Sequence, residues 1–214
     1  MKTAVVFAAA VLMAGAAYGD GPDAWGSAFG TLSKAQVIGA GAGDIGLGVC
    51  AADMNSFVGF FAYGMSASTE GRFKLGIADD EPVDAKLTFG FDFHYQMLDV
   101  DPGVQGDPLD LSVGAFLEYV DFDGLSVFQI GGDMLGSYPF ALDNNTTLSP
   151  YGRFNVRLER YKTSTPVRSW SESELKFGLT MGTCWDLSAD FGLYAELQFD
   201  GNDGLFAGLR YRVL

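Results

Sequence analysis

The sequence contains few residues of the types that build metal centres and nucleophilic active sites. It has one histidine, His94, and two cysteines, Cys50 and Cys184, among 214 residues. Neither cysteine has a partner at metal-ligand spacing, and His94 has no recognisable Ser or Cys partner for nucleophilic catalysis. We therefore expect no enzyme activity, no cofactor and no metal centre. A hydrogen-bonding role in the protein interior is the favoured interpretation of His94.

Basic residues are also scarce, with 13 Lys and Arg against 27 Asp and Glu and a net charge of −14. Nucleic acid is excluded as an expected partner because its binding needs a basic surface. The acidic clusters Asp79-Asp80-Glu81 and Asp121/Asp123 offer hard oxygen ligands for divalent cations, but without the regular spacing of a calcium loop. Solvated acidic turns are the favoured interpretation, and divalent-cation binding at these loops is the alternative.

No apolar run reaches the roughly 20 residues that a membrane-spanning helix needs. The amino terminus instead has the pattern of a secretory signal, with Lys2, an apolar core from Thr3 to Met13, and the small-x-small site Ala17-Tyr18-Gly19. We predict a signal peptide at residues 1–19 and an amino-terminal tether or first short strand at 20–42. The remaining residues, 43–214, are predicted to form one domain.

The stretch Asp84–Asp99 indicates what that domain is. Its apolar residues, including Phe89, Phe91 and Phe93, alternate with polar residues such as Asp92 and His94. A period of two sustained over this length predicts a long β-strand with one apolar and one polar face.

Similar alternation recurs along the chain. Candidate strands lie at Asp44–Cys50, Phe57–Met65, Arg72–Ala78, Asp84–Asp99, Leu109–Val120, Ser126–Tyr138, Leu148–Tyr161, Ser173–Trp185, Phe191–Phe199 and Leu205–Val213. The first three are short, and merging among them would give eight strands instead of ten. Short connections between consecutive strands predict an all-β fold, a closed antiparallel up-and-down barrel of 8–10 strands.

The polar face is the better candidate for the barrel interior, because it is rich in glycine and carries eight basic and eight acidic side chains. Unpaired charges are costly in an enclosed lumen, so a balanced set fits there. The predicted lumen charge network comprises Arg72, Lys74, Lys86, Asp92, His94, Asp110, Glu118, Asp133, Arg153, Arg157, Glu159, Glu174, Lys176, Asp186, Glu196, Arg210 and Arg212. The opposite arrangement, with the apolar face inside, would be a soluble lipocalin-like binding barrel.

Aromatic residues on the apolar face near strand ends complete the pattern. Tyr95, Tyr119, Trp185 and Tyr211 occupy such positions and are predicted to form an interfacial aromatic girdle. In this pattern, residues 43–214 resemble the small bacterial outer-membrane β-barrels, which include the OmpA-type transmembrane domain and porin-like barrels. The resemblance implies export to the bacterial outer membrane, with outer-membrane lipid and the outer-membrane insertion machinery as partners.

Two functions remain open for such a barrel. One is a structural or interaction role in the cell envelope, with a polar, charge-paired, largely plugged lumen and acidic loops. The alternative is a narrow porin for small solutes. The strand count puts Cys50 and Cys184 at opposite rims, so a disulfide between them is not favoured.

Two details of strand pairing are also predicted. A type I′ turn at Asp123-Gly124 would place Tyr119 opposite Phe128 and Glu118 opposite Gln129. Phe199 opposite Leu205 would make Glu196 and Arg210 diagonal neighbours that form an ion pair.

Overall fold

The computed structural model describes residues 26–79, 85–99, 109–122, 125–142, 146–164 and 169–214, and its fold is all-β. The strands are β1 (Gly43–Ala52), β2 (Asn55–Gly64), β3 (Thr69–Asp79), β4 (Lys86–Leu98), β5 (Asp110–Phe122), β6 (Leu125–Ser137), β7 (Phe140–Ala141), β8 (Thr147–Ser164), β9 (Ser169–Asp186), β10 (Phe191–Phe199) and β11 (Gly204–Arg212). Within those residues, no helix is long and apolar enough to cross a membrane.

Ten of these strands form a closed antiparallel barrel. Each strand pairs with its neighbours in sequence, except that β6 pairs with β8, and β11 pairs back with β1. The two-residue strand β7 pairs only with the start of β8. Closure leaves no open sheet edge. The predicted up-and-down barrel is confirmed at ten strands, and the first three candidates are separate strands.

One of the two predicted registers is confirmed. Across the β5–β6 hairpin, Tyr119 pairs with Phe128 and Glu118 pairs with Gln129. The turn residues Asp123 and Gly124, on which the type I′ prediction falls, lie outside the described residues.

The predicted register of the last hairpin is wrong. Leu197, rather than Phe199, pairs with Leu205, and Arg210 pairs with Gly192. Arg210 is therefore four residues along the strand from the partner of Glu196, roughly 13 Å at the usual strand rise. The expected Glu196–Arg210 ion pair does not form.

Side chains are distributed with the apolar face outside. In β4, Phe89, Phe91 and Phe93 are each about 40% exposed on the outer surface, whereas Asp92 and His94 are buried in the interior. The same alternation runs through β1, β2 and β3. A closed barrel with an apolar exterior and a charged interior is suited to a lipid bilayer. The lipocalin-like alternative, which places the apolar face inside, does not fit this arrangement.

The barrel has two rims, which we name by the strands that close it. The near rim contains the start of β1 at Gly43 and the end of β11 at Arg212, and the far rim contains Ala52 and Gly204. Cys50 lies toward the far rim and Cys184 toward the near rim. Both thiols are free and buried, in agreement with the expectation that they are not bridged.

The region predicted as an amino-terminal tether or first short strand is described from residue 26 to residue 42. These residues form no strand, and most of those from 26 to 35 are buried. Phe29 and Ala35 have no exposed surface, and Leu32 has 1%. Their partners, described next, are side chains that point into the lumen.

Candidate functional site: the lumen and the segment within it

Residues 26–38, here called the lumen segment, run through the barrel from one rim to the other. Ser27 contacts Asp200 and Asn202, which lie in the β10–β11 turn at the far rim. Ile38 contacts Glu70, at the near-rim end of β3. The chain then continues through exposed Gly39, Ala40 and Gly41 into β1.

The inner face of the barrel strands and of the turns between them is here called the wall. Acidic and polar side chains of the wall accept hydrogen bonds from the backbone of the lumen segment. Glu196 Oε1 accepts two consecutive N–H groups, from Thr31 at 2.8 Å and Leu32 at 3.0 Å. Glu70 accepts the N–H of Ile38 at 2.9 Å. The wall therefore satisfies these backbone donors, which a segment without secondary structure would otherwise leave unpaired.

Three further backbone N–H groups are bound in the same way. They are donated by Ser27 to Asp200, by Ala35 to Ser137 Oγ at 3.1 Å, and by Val37 to Gln96 Oε1 at 3.1 Å.

Basic, amide and hydroxyl side chains of the barrel wall bind the segment's backbone carbonyls. Lys74 Nζ donates to Gly30 O at 2.9 Å, and Arg72 Nη1 donates to the carbonyls of both Thr31 and Leu32. Toward the far rim, Gln198 and Asn202 donate to the carbonyl of Ser27, Gln129 to that of Gly26, and Ser56 to that of Ala28. The wall thus contacts backbone groups along nearly the whole length of the segment.

Two apolar side chains of the segment fit against glycines of the wall. A Cβ added at Gly90 would lie 3.1 Å from the Phe29 ring, and one added at Gly48 would lie 2.7 Å from Leu32 Cδ1. A Cβ added at Gly208, on the neighbouring strand β11, would lie 3.1 Å from Leu32 Cδ2. The Lys74 ammonium also lies 5.7 Å from the centre of the Phe29 ring, within cation–π range. These lumen glycines leave room for Phe29 and Leu32.

Many of the predicted lumen charges form ion pairs along one strand or between nearby strands. Lys74 lies 2.7 Å from Asp92, and Arg153 lies 2.7 Å from Asp133. Further ion pairs join Arg157 to Glu159 (2.6 Å), Lys176 to Glu174 (2.5 Å), Arg210 to Asp186 (2.5 Å) and to Asp44 (3.1 Å), and Arg212 to Asp44. Arg72 pairs with Glu70 at 2.9 Å. Asp44 and Glu70 were not in the predicted network, because they lie at strand ends.

The other predicted members also lie on the inner face. His94 and Asp110 are buried, with His94 Nε2 3.6 Å from Asp133 Oδ1. Glu118 and Glu196 are buried too, and Lys86 is half-buried.

Buried acids outnumber buried cations, and the lumen segment compensates for the difference. Nine carboxylates and five Lys or Arg side chains are buried among the described residues. Glu118 accepts the hydroxyl of Ser27 at 2.8 Å, and Glu196 accepts two N–H groups of the segment and the hydroxyl of Tyr151 at 2.7 Å. The segment therefore hydrogen-bonds two carboxylates for which the structure shows no ion pair.

Asp200, in the β10–β11 turn, is a further buried carboxylate that accepts a hydrogen bond from the lumen segment. Burial raises the pKa of this carboxyl, while Arg157 and the N–H groups of Asn202 and Ser27 oppose that rise. The Arg157 guanidinium lies 3.4 Å from Asp200. The ion pair and the end of the lumen segment thus meet at one turn.

The predicted girdle residues lie on the outer face near the rims. Tyr95, Trp185 and Tyr211 are exposed toward the near rim, and Tyr119 is half-buried toward the far rim, 5.3 Å from the Phe89 ring. The near rim also exposes aromatic residues that the prediction did not include, namely Tyr63, Tyr138 and Phe140.

The two acidic clusters are only partly visible, since Asp80, Glu81 and Asp123 lie outside the described residues. Across the part of the chain that the structure describes, no group of three His, Cys, Asp or Glu side chains could hold a metal ion.

The lumen segment is the functional element that the sequence reasoning missed. Its sequence, GSAFGTLSKAQVI, has no period of two and no charge pattern. The isolated Phe29 and Leu32 in a polar, glycine-rich stretch were the available signal, because exposed large apolar residues are uncommon in a loose tether.

Comparison with known proteins gives likeness of fold only. No protein-family model matches the chain, and no curated protein is similar to it in sequence. Solved structures similar to it include the N-terminal β-barrel domain of Pseudomonas aeruginosa OprF, with 10% identity over 82% of this chain and 100% of that one, at a TM-score of 0.42.

Two other similar structures have the same TM-score of 0.42. The KdgM porin has 6% identity, covering 80% of this chain and 99% of that one. The β domain of the Bordetella autotransporter BrkA has 12% identity, covering 81% of this chain and all of that one. These are barrels of the general kind that the sequence resembles, and identities this low concern the fold alone.

Proposed function

We propose that this protein is an integral outer-membrane barrel whose lumen is closed to solutes by its own lumen segment, and that it serves a structural or interaction role in the cell envelope. The observation that carries this proposal is the passage of residues 26–38 through the interior with their backbone groups hydrogen-bonded to the wall. We call the segment in this role the plug. The acidic loops then provide the surface that partners meet.

The small size of a cavity beside the lumen segment supports closure. A cavity of about 100 Å³ near the near rim is lined by residues that include Lys34, Arg72, Tyr194 and Arg210. A water molecule occupies roughly 30 Å³ of liquid, so this cavity has room for only a few waters. Ten strands alone leave an interior only moderately larger than its side chains fill, and the plug occupies that interior.

Planar-bilayer recording of the purified, detergent-folded protein tests closure. We expect silence or rare brief openings. The matched variant lacks residues 27–38, and we expect it to give steady ohmic channels where it folds. Large stable channels from the unmodified protein would contradict the plug and favour the alternative, a narrow porin for small solutes.

Membrane insertion is tested separately. A folded barrel resists detergent unless it is heated, so unheated and boiled samples should migrate differently on a gel. Recovery in the soluble periplasmic fraction without detergent would refute the outer-membrane location. The proposed partners are outer-membrane lipid and the insertion machinery, with divalent cations at the acidic loops as a further candidate.

A further inference from the structure

The contacts of the lumen segment have the form of a ligand bound in a receptor. Wall side chains hydrogen-bond its backbone N–H and C=O groups, and glycines of the wall accept Phe29 and Leu32. Backbone contacts give affinity and pockets for particular side chains give specificity in the known modes of peptide recognition.

The backbone conformation at residue 30 and its close approach to the wall require glycine there. Its φ is +63°, a backbone conformation that other residues adopt only at a cost, and an added Cβ would lie 2.3 Å from Glu196 Oε1 and 2.8 Å from the Phe206 ring. Phe29-Gly30-Thr31-Leu32 therefore forms a recognition unit of two apolar side chains separated by a glycine and one further residue.

The unit meets a complementary set of wall groups. Glu196 binds two adjacent N–H groups, Arg72 binds two adjacent carbonyls, and Lys74 binds the carbonyl of Gly30 while facing the Phe29 ring. All three wall side chains are at most 4% exposed. Glu196 has no ion-pair partner in the structure, so without the unit this carboxylate would lose two of its donors.

We propose that the lumen is a peptide-binding site, specific for a polypeptide with the pattern Phe-Gly-x-Leu, and that residues 26–38 are its ligand held in cis. Covalent attachment raises the effective concentration of the segment but is not what holds it in place. The inference rests on the proposed closure of the lumen. It goes further by assigning recognition to named groups that act equally on a separate peptide.

The exposed linker at Gly39–Gly41 allows the attachment to be removed from the full-length protein. A site for a specific protease is inserted between Gly39 and Ala40, the protein is folded in detergent, and the linker is then cut. We expect the severed segment to remain with the barrel until heating, or to exchange with an added fluorescent peptide of the sequence of residues 26–38. Loss of the segment without rebinding of that peptide would overturn the proposal.

Specificity is tested with three altered peptides. Replacing Leu32 by Ala empties its pocket, and N-methylation at Leu32 removes the N–H that Glu196 accepts at 3.0 Å. Each change is expected to weaken binding by about tenfold or more, the effect of one lost buried contact. N-methylation of the Lys34 backbone N–H, for which the structure shows no wall acceptor, is the matched control and should change binding by less than about threefold. It leaves in place the Lys34 ammonium, which pairs with Asp186 at 2.8 Å.

Equal binding of all four peptides would overturn the proposal, because the wall would then not read the recognition unit. Where the severed segment does not exchange, encoded substitutions are made in the cut protein instead. Leu32→Ala should then release the segment at a lower temperature than Gln36→Ala, a half-buried position whose side chain shows no hydrogen bond or ion pair to the described part of the wall. Equal release temperatures would overturn the proposal. Lys34→Ala is unsuitable as this control because the Lys34 ammonium pairs with Asp186 at 2.8 Å. Conductance of the uncut protein tests closure itself, so failure of the plug and failure of peptide recognition give different results.

Discussion

Gly48→Ala is the smallest change that should displace the plug. An added Cβ would lie 2.7 Å from Leu32 Cδ1 and 3.0 Å from Val58 Cγ1, where carbon atoms normally approach no closer than about 3.5 Å. Leu32 already has a φ of 45°, which is unfavourable for a non-glycine residue. Leu32 therefore has to move by nearly 1 Å from a position with little freedom.

Overpacking of this kind costs about 1–3 kcal/mol. If the cost falls on the docked state of the plug alone, the equilibrium between displaced and docked plug shifts by about 5- to 150-fold, since about 1.4 kcal/mol corresponds to a factor of ten. The assay is the open probability of single channels in a planar bilayer, which we expect to rise by that factor from a near-silent baseline.

Gly59→Ala is the matched control. Gly59 lies on the neighbouring strand β2 but faces outward, where an added Cβ would find its nearest atom, Leu47 Cδ2, at 3.7 Å. Both substitutions make the same chemical change in adjacent strands, and only one of them meets the plug. Open probabilities that are equal for the two variants would refute the assignment of Leu32 to a pocket beside Gly48.

Three further outcomes are expected. Arg153→Ala leaves Asp133 buried without its ion-pair partner and should lower the free energy of unfolding by about 3–5 kcal/mol. Urea titration of tryptophan fluorescence measures this, and a loss below about 1 kcal/mol would contradict the pairing. Phe91→Arg places a charge on the outer face of β4, at a cost of about 2–4 kcal/mol near the bilayer midplane. The folded form, which migrates differently from the boiled protein on a gel, should therefore be depleted. An unchanged amount of that form would argue against lipid contact at this position. Cys50 and Cys184 lie toward opposite rims as free thiols, so mild oxidation of the folded protein should leave both reactive to a maleimide after denaturation, whereas loss of both would contradict the described strand order.

The sequence alone predicted the ten barrel strands to within a few residues at their ends. The glycines and balanced charges of one face also indicated that this face lies inside. Alternation of apolar and polar residues is a property of neighbouring residues along the chain, so Phe91 and Asp92 could be assigned to opposite faces without any partner strand. The sequence also predicted the β5–β6 register, because the Asp123-Gly124 motif specified a two-residue turn and alternation excluded a slip by one residue, which would turn Tyr119 and Phe128 to different faces.

The β10–β11 register was decided only by the tertiary structure. The predicted pairing of Phe199 with Leu205 and the observed pairing of Leu197 with Leu205 differ by two residues, which leaves every side chain on the same face. Alternation cannot distinguish them. The β10–β11 turn fixes the choice, since Asp203 accepts the N–H groups of Asp200 and Gly201 and Gly201 adopts a φ of 106°.

The path of residues 26–38 was likewise decided only by the tertiary structure. Most of their contacts use backbone N–H and C=O groups, which every residue carries and which leave no pattern in a sequence. The groups that bind them, such as Glu196 and Arg72, were recognisable as lumen residues, but their partners were expected to be other charges. The closed barrel brings these side chains, distant in sequence, around one narrow interior, and their combined donors and acceptors match a backbone threaded between them.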